Sequence, residues 1–306
     1  MRWFENPNYN FIGNRRKAYL FSGILILISI LSLAIRGLEY GIDFRGGMEF
    51  VVETSQPLNE VEVRGVLTDV LGSEPEVKKF GSPTDLLIRT VATGEITEIQ
   101  NKILDTLKAR YPDVSFELVK TDIVGPRFAE DLKRGALYAI IGSLIVIFLY
   151  ILLRFEWRYS LGAVAALAHD VTITLGIFSL LHGVVPFSLE VDQAVIAALL
   201  TIVGYSLNDT VVVFDRVREY TNIFKAEPYP RVVNKAINTT LSRTLITSGT
   251  TLLVVVVLFI FGGEVLRPFA FALIIGIVIG TYSSIFVASP IVVELHERTA
   301  RKKQTR

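Results

Sequence analysis

The sequence predicts a polytopic α-helical membrane protein, six transmembrane helices with one extracytoplasmic α+β domain. Three observations predict it. Hydrophobic residues make up 51% of the 306, and the mean hydropathy is +0.48. The apolar residues are bunched into six long runs that are nearly free of charge rather than spread at the 3.6 or 2.0 period of soluble amphipathic elements. One long charged stretch separates the first run from the other five.

The runs are Ala18–Ile35, Gly135–Leu153, Ser160–Leu181, Val191–Phe214, Thr244–Phe261 and Phe269–Val293. Each is near the roughly 20 residues that a helix needs to cross a hydrocarbon core. The first follows a basic start, as a signal peptide would. It is longer than a signal-peptide core and lacks a small-residue cleavage site after it, so it is expected to stay as a helix.

Basic residues in the connections set the orientation. Arg2, Arg15, Arg16 and Lys17 precede the first span, and Arg154 and Arg158 separate the second from the third. Arg216, Arg218, Lys225, Arg231, Lys235 and Arg243 lie between the fourth and fifth. Arg298, Arg301, Lys302, Lys303 and Arg306 follow the sixth. The opposite loops hold Glu190, Asp192 and Glu264 against Arg267 alone. Residues 1–17 and the basic tail 294–306 are therefore expected in the cytoplasm, residues 37–132 outside, and spans at 18–36 and within 133–293. Arg2–Ile12, with Trp3, Phe4, Tyr9 and Phe11, reads either as an interfacial segment or as a disordered start.

In the outer stretch, Glu49–Glu53 alternates as a strand with Phe50 and Val52 on one face. Pro57 opens a helix whose Val63, Val66, Leu67, Val70 and Leu71 share a stripe, and Gly72 ends it. Glu76–Phe80 and Leu86–Val91 pair around Gly81-Ser82-Pro83. Ile96, Ile99, Ile103 and Leu107 form a second helical stripe, Tyr111-Pro112 stops it, and Val114, Phe116 and Leu118 alternate in a last strand. The order βαββαβ is the ferredoxin-like pattern. Helices cover one face of such a sheet, and the other is expected to be free for a partner. With no catalytic cluster in it, contact or support is its expected work. Residues 221–242 read as a polar cytoplasmic stretch with Pro228 and Pro230.

Composition limits the chemistry. The absence of cysteine excludes disulfides and thiolate metal sites. His169, His182 and His296 are scattered, so no metal or cofactor is expected. Net charge is +1, which singles out no partner, and no nucleic-acid partner is expected.

A charge inside a span costs on the order of 3 kcal/mol, so each one needs a reason. The third span carries His169 and Asp170; the fourth carries Asn208 and Asp209, with Asp215 at its boundary. Arg243 opens the fifth, amid Ser242, Thr244, Thr247, Ser248, Thr250 and Thr251. Asp209 reads as a proton-binding carboxylate, since desolvation favours its neutral form and a nearby cation its charged form. Arg243 is always charged and is the natural moving partner. The alternative is a static ion pair joining two helices. His169 beside Asp170 offers a relay or plain interhelical hydrogen bonding. Helical neighbours point about 100° apart, so the two are not expected to face each other. Asp215 with Arg216 and Arg218 reads as a solvated helix end, and Glu190 and Asp192 as ordinary interface acids. Gly204, Gly249, Gly276 and Gly280 suggest close helix packing.

Three segments go beyond generic membrane patterning: Gly41-Ile42-Asp43-Phe44-Arg45-Gly46-Gly47, Val203–Arg216, and Ser242–Ser248. Together with His169-Asp170-Val171 they resemble the SecF family of protein-export membrane proteins, over nearly the whole chain. The resemblance implies pairing with SecD in a twelve-helix assembly of the resistance–nodulation–division superfamily. It implies association with the SecYEG channel and with YidC, and proton-driven export of preproteins from the cytoplasmic membrane of a bacterium. It implies that Asp209 and Arg243 match the family's proton-pathway residues, and that Gly41, Asp43, Gly46 and Gly47 match the turn joining the first span to the outer domain. Three other readings stand beside it. A half-transporter exporting lipids or small hydrophobic molecules is expected to carry larger outer insertions. An intramembrane aspartyl protease usually needs Gly-x-Gly-Asp where this chain has Leu207-Asn208-Asp209, and a serine version needs Ser248 near His169. A passive translocon scaffold would use Asp209 and Arg243 as structural charges.

Overall fold

The structure is a computed structural model and describes residues 7–91 and 94–304. Of the expected N-terminal segment, Arg2, Trp3 and Phe4 fall outside the described residues. Helix α1 (Arg15–Ile35) leads through a short helical turn, α2 (Ile42–Arg45), into the outer domain. There β1 (Gly47–Thr54), α3 (Glu60–Leu71), β2 (Glu76–Phe80), β3 (Ser82–Thr90), α4 (Ile96–Arg110) and β4 (Phe116–Val124) follow in the expected βαββαβ order. The sheet runs β2-β3-β1-β4 with every neighbouring pair antiparallel.

Strand alternation places Met48, Phe50, Val52, Val77, Leu86 and Ile88 against Val63, Leu67, Ile99, Ile103 and Leu107 of the two helices. Details depart from the sequence expectation. Helix α3 opens at Asn59, whose side chain accepts from the amides of Val61 and Glu62, and not at Pro57. Val70 turns out to solvent. Strand β3 begins at Ser82 because Gly81, at φ 83°, makes the reversal alone.

The sheet's second face is not free. Glu49, Val51, Leu87 and Arg89 are all buried there, facing the loop that carries Glu190.

Two glycines are required where α1 hands over to β1. Gly46 has φ 75° and Gly47 has φ 116°. A Cβ on Gly47 would stand 2.7 Å from the Thr90 carbonyl oxygen, and one on Gly46 would stand 3.1 Å from Pro126 Cα. Only glycine combines that dihedral with that approach.

From β4 the chain enters the bundle across Gly125: α5 (Pro126–Arg154), α6 (Trp157–Leu181), α7 (Gln193–Ile223) and α8 (Tyr229–Phe261). The sixth spanning helix is composite. It is α9 (Gly263–Ser283), a π-helical turn (Ser284–Ala288) and α10 (Ser289–Gln304). Ser289 Oγ donates to the Ser284 carbonyl five residues back at 2.8 Å, which fits the wider turn. Helices α7 and α8 extend through residues 221–242, so most of the expected polar stretch is helical. Helix α6 is central, with 56% of its most apolar window buried, and α5 is peripheral, with 6%.

Gly47→Ala is expected to lower the thermal midpoint of the detergent-purified protein, reflecting a loss of about 2 kcal/mol. Gly125→Ala is the control. Gly125 has φ −64°, and a methyl group added there would meet no heavy atom within 4 Å, so the change is expected to be neutral.

Candidate functional site

Two carboxylates stand inside the bundle, each held by hydroxyls. Asp209 of α7 accepts from Thr244 Oγ1 of α8 at 2.6 Å and from Ser284 Oγ of the π-helical turn at 2.6 Å. Asp170 of α6 is fully buried. Its Oδ2 accepts from Ser206 Oγ of α7 at 2.7 Å and from Ser283 Oγ of α9 at 2.8 Å. Its Oδ1 lies 2.9 Å from His169 Nδ1. The ring's other nitrogen lies 3.2 Å from Ser22 Oγ, which is 3.1 Å from the Tyr282 hydroxyl. That hydroxyl donates to the Ala18 carbonyl at 3.0 Å. A polar thread therefore crosses from α1 through α6 to α7 and α9.

His169 and Asp170 do meet, against expectation. Their Cβ atoms diverge, but both side chains are buried and bend until their tips come within hydrogen-bond reach. Consecutive serines in the sixth helix serve different carboxylates, Ser283 on Asp170 and Ser284 on Asp209. Single-residue reasoning missed Ser206, Ser283, Ser284 and Tyr282. The signal was there: Thr281-Tyr282-Ser283-Ser284 puts four hydroxyls in a row within an apolar span.

The expected contact between Asp209 and Arg243 is not made in this arrangement; Asp209 takes neutral donors instead. Arg243 is exposed, as is Asn208 one residue before Asp209. Thr201, Gly204 and Asn208 form an exposed line on α7, and Arg243, Thr247 and Thr250 another on α8. A Cβ added to Gly204 or Gly249 would have no neighbour within 4 Å, so these two do not pack helices inside this chain. Gly276 and Gly280 do, against Ile202 and Ser206. Asp215 faces Arg154 at 3.5 Å with both side chains half-exposed.

A second polar centre fastens the outer domain to the bundle. Glu190 is not an ordinary interface acid: it is buried, accepting from Arg89 at 2.8 Å and from Lys78 at 2.6 Å. Arg89 also meets Glu49 at 2.6 Å and Glu76 at 3.1 Å. Burial works against the charged form of Lys78, but Glu190 and Glu76 outweigh it and hold the ammonium above its ordinary 10.5. Burial likewise opposes the charge on Glu76, and Lys78, Arg89 and Arg45 outweigh it, holding the carboxyl below 4.5.

The Gly41–Gly47 turn docks beside this cluster. Gly41 N donates to the Val191 carbonyl at 3.0 Å, and Val191 N to the Glu39 carbonyl at 2.8 Å. Asp43 Oδ2 accepts from Gln193 N at 2.9 Å, and Asp192 Oδ1 from Val195 N at 2.8 Å, so two acids finish the start of α7.

Among the described residues, no three histidine, aspartate or glutamate side chains gather where they would hold a metal ion. Ser248 accepts from Thr281 at 2.7 Å and His169 lies with Asp170, so neither pairs as a nucleophile and its base.

Residues 103–298 match the family described as protein export membrane protein SecD/SecF, C-terminal, and residues 31–58 match the SecD/SecF GG motif. The chain is 67% identical over 304 residues to the protein translocase subunit SecF of Rhodothermus marinus, covering 99% of this chain and 98% of that one. It is 44% identical over 300 residues to the same subunit of Desulfurispirillum indicum, covering 96% and 92%. Its structure resembles that of SecDF, a translocon-associated membrane protein from Thermus thermophilus, with a TM-score of 0.85 at 36% identity. That likeness covers 96% of this chain and 40% of the other, so this chain spans well under half the SecDF chain.

Glu190→Gln is expected to weaken the docking by about 2 kcal/mol, the scale of a hydrogen bond to a charged group. Hydrogen exchange of the amides of Gly41 and Val191 reads it. The contribution of Glu76 is present above pH 4.5 and lost as pH falls through its lowered value. That of Lys78 is present below pH 10.5 and lost as pH rises through its raised value. Protection is therefore expected to be level between those limits and to fall beyond each.

Proposed function

This chain belongs to the SecD/SecF family of protein-export membrane proteins, and from that membership we propose that it works as one half of a proton-driven export motor whose other half is SecD. It is a multi-pass, SecF-type subunit of the protein translocase, a transport component and not an enzyme. In the proposed arrangement the pair sits at SecYEG, with YidC nearby, in the cytoplasmic membrane of a bacterium. Both ends of the chain lie in the cytoplasm and residues 37–132 lie outside, where preproteins emerge.

The observation that carries the reading is the state of Asp209. Neutral hydroxyls hold both its oxygens, while the nearby guanidinium of Arg243 stands exposed on a polar line of α8 with Thr247 and Thr250. A charged arginine facing hydrocarbon is costly, so this line calls for a partner wall. A homologous SecD half would supply it, as the second half does in paired-repeat transporters. The motor step follows. Asp209 carries a proton while Thr244 and Ser284 hold it. Arg243 swings in as the partner half moves, favours the carboxylate, and expels the proton. Each charge crossing 100 mV brings about 2.3 kcal/mol, so a few protons suffice for a rigid-body movement.

Helix α7 is the transmission. It carries Asp209, and its outer end is fastened to the Gly41–Gly47 turn by the Asp43 side chain on Gln193 N and by the backbone bond from Gly41 to Val191. The hydroxyls of Ser283 and Ser284 couple the sixth helix to the same motion, and Asp170 with His169 steadies or relays beside it.

Asp209→Asn keeps most of the hydrogen bonding and removes the titrating proton. In membrane vesicles carrying the translocase, this variant is expected to abolish the proton-gradient-dependent part of reporter export while still assembling with SecD. Gradient-dependent export at the wild-type level would instead support the scaffold reading.

A further inference from the structure

A cavity of about 590 Å³ opens between the starts of α1 and α8, away from both carboxylates. Its walls are built. Asn234 Oδ1 accepts from Ile12 N at 3.1 Å and its amide nitrogen donates to the Tyr9 carbonyl at 2.9 Å, while Asn238 Oδ1 accepts from Tyr9 N at 2.8 Å. These bonds pin the segment before α1 onto α8. Four cations line the cavity, Arg15, Arg16, Arg231 and Lys235, and no carboxylate does among the described residues. Arg15 is engaged by Glu297 at 3.3 Å and Glu294 at 3.9 Å, and Lys235 by Glu227 at 2.5 Å. Arg16 and Arg231 are exposed and make no ion pair among the described residues. The two helices thus bring to one opening two guanidinium groups with no carboxylate partner among the described residues.

What lies beneath Arg16 narrows the occupant. The same face of α1 continues as Leu20, Ile24, Leu27 and Leu31, exposed by 68%, 48%, 57% and 49%. Spacings of four, four, three and four residues from Arg16 keep them in one stripe. A free anion would use the cations and leave that stripe empty. An amphiphile uses both.

We propose that this cavity binds the headgroup of an anionic phospholipid. Its phosphate lies against Arg16 and Arg231, whose planar forks match phosphate oxygens, and its acyl chains lie along Leu20, Ile24, Leu27 and Leu31. Basic pockets at the ends of membrane helices suit such headgroups. The site ties α1 to the helix that carries Arg243, and it is independent of the proposed proton step.

The test uses the full chain purified in detergent, with bound lipid counted by native mass spectrometry during titration with phosphatidylglycerol, phosphatidylcholine or inorganic phosphate. Phosphatidylglycerol is expected to bind, phosphatidylcholine not, and inorganic phosphate not to displace it. The pair Arg16→Gln with Arg231→Gln is expected to weaken phosphatidylglycerol roughly 30-fold, the effect of two cations at a membrane surface. Arg16→Lys with Arg231→Lys is expected to keep most of the affinity, which separates charge from damage to the fold. Equal binding of phosphatidylcholine, or an affinity unmoved by the glutamine pair, would overturn the proposal. Displacement by inorganic phosphate would overturn the lipid assignment in favour of a plain anion site.

Discussion

A carboxylate enclosed by helices in hydrocarbon has no water to lean on, and much of this bundle is arranged around that constraint. An unpaired buried charge costs several kcal/mol or more, and even a neutral polar group without partners costs about 1–3 kcal/mol. Asp170 and Asp209 are therefore supplied with donors from other helices: Ser206, Ser283, Thr244 and Ser284. These partners come from α7, α8 and the sixth helix and the acids from α6 and α7, so satisfying two side chains fixes how four helices sit against one another. The π-helical turn answers the same constraint. It begins at Ser284, where one serine reaches Asp209 while its neighbour reaches Asp170. Hydroxyl donors satisfy the carboxylate oxygens without the deep attraction of a fixed cation.

The same physics recurs where the sheet domain meets the bundle, with charges in place of hydroxyls. Glu49, Arg89, Glu76, Lys78 and Glu190 form an alternating ionic row between sheet and loop. Each charge there has an opposite neighbour, which is what allows Arg89 and Glu190 to be buried. The outer domain is thus joined to the bundle by covalent continuity at α2 and at Gly125, by backbone bonds at Val191, and by this row. Helix α7 starts at that docking point and carries Asp209 further along its length, so the two polar centres share one element.

Much of the architecture was legible in order along the chain. Long apolar runs marked the spans, period-2 alternation marked β1 and β4, and Asp209, Asp170 and Arg243 announced themselves as charges where charges are expensive. Boundaries were less legible, because caps decide them: Asn59 rather than Pro57 starts α3, and Gly81 makes alone a turn that Ser82 and Pro83 were expected to share. The pairings were less legible still. Arg243 is the obvious partner by charge, yet hydroxyls from two distant places in the chain hold Asp209.

Local sequence was enough for the six-helix class, the βαββαβ order and the acids inside the spans, because transfer free energies and side-chain periods are properties of neighbouring residues. The family came from the resemblance carried by the motifs at Gly41–Gly47, Val203–Arg216 and Ser242–Ser248. Contacts between remote segments settled that Glu190 clasps the sheet, that Ser283 and Ser284 divide between two carboxylates, and that Gly204 lies open while Gly276 packs. Those outcomes depend on which faces of helices distant in sequence meet, and no local pattern carries that information.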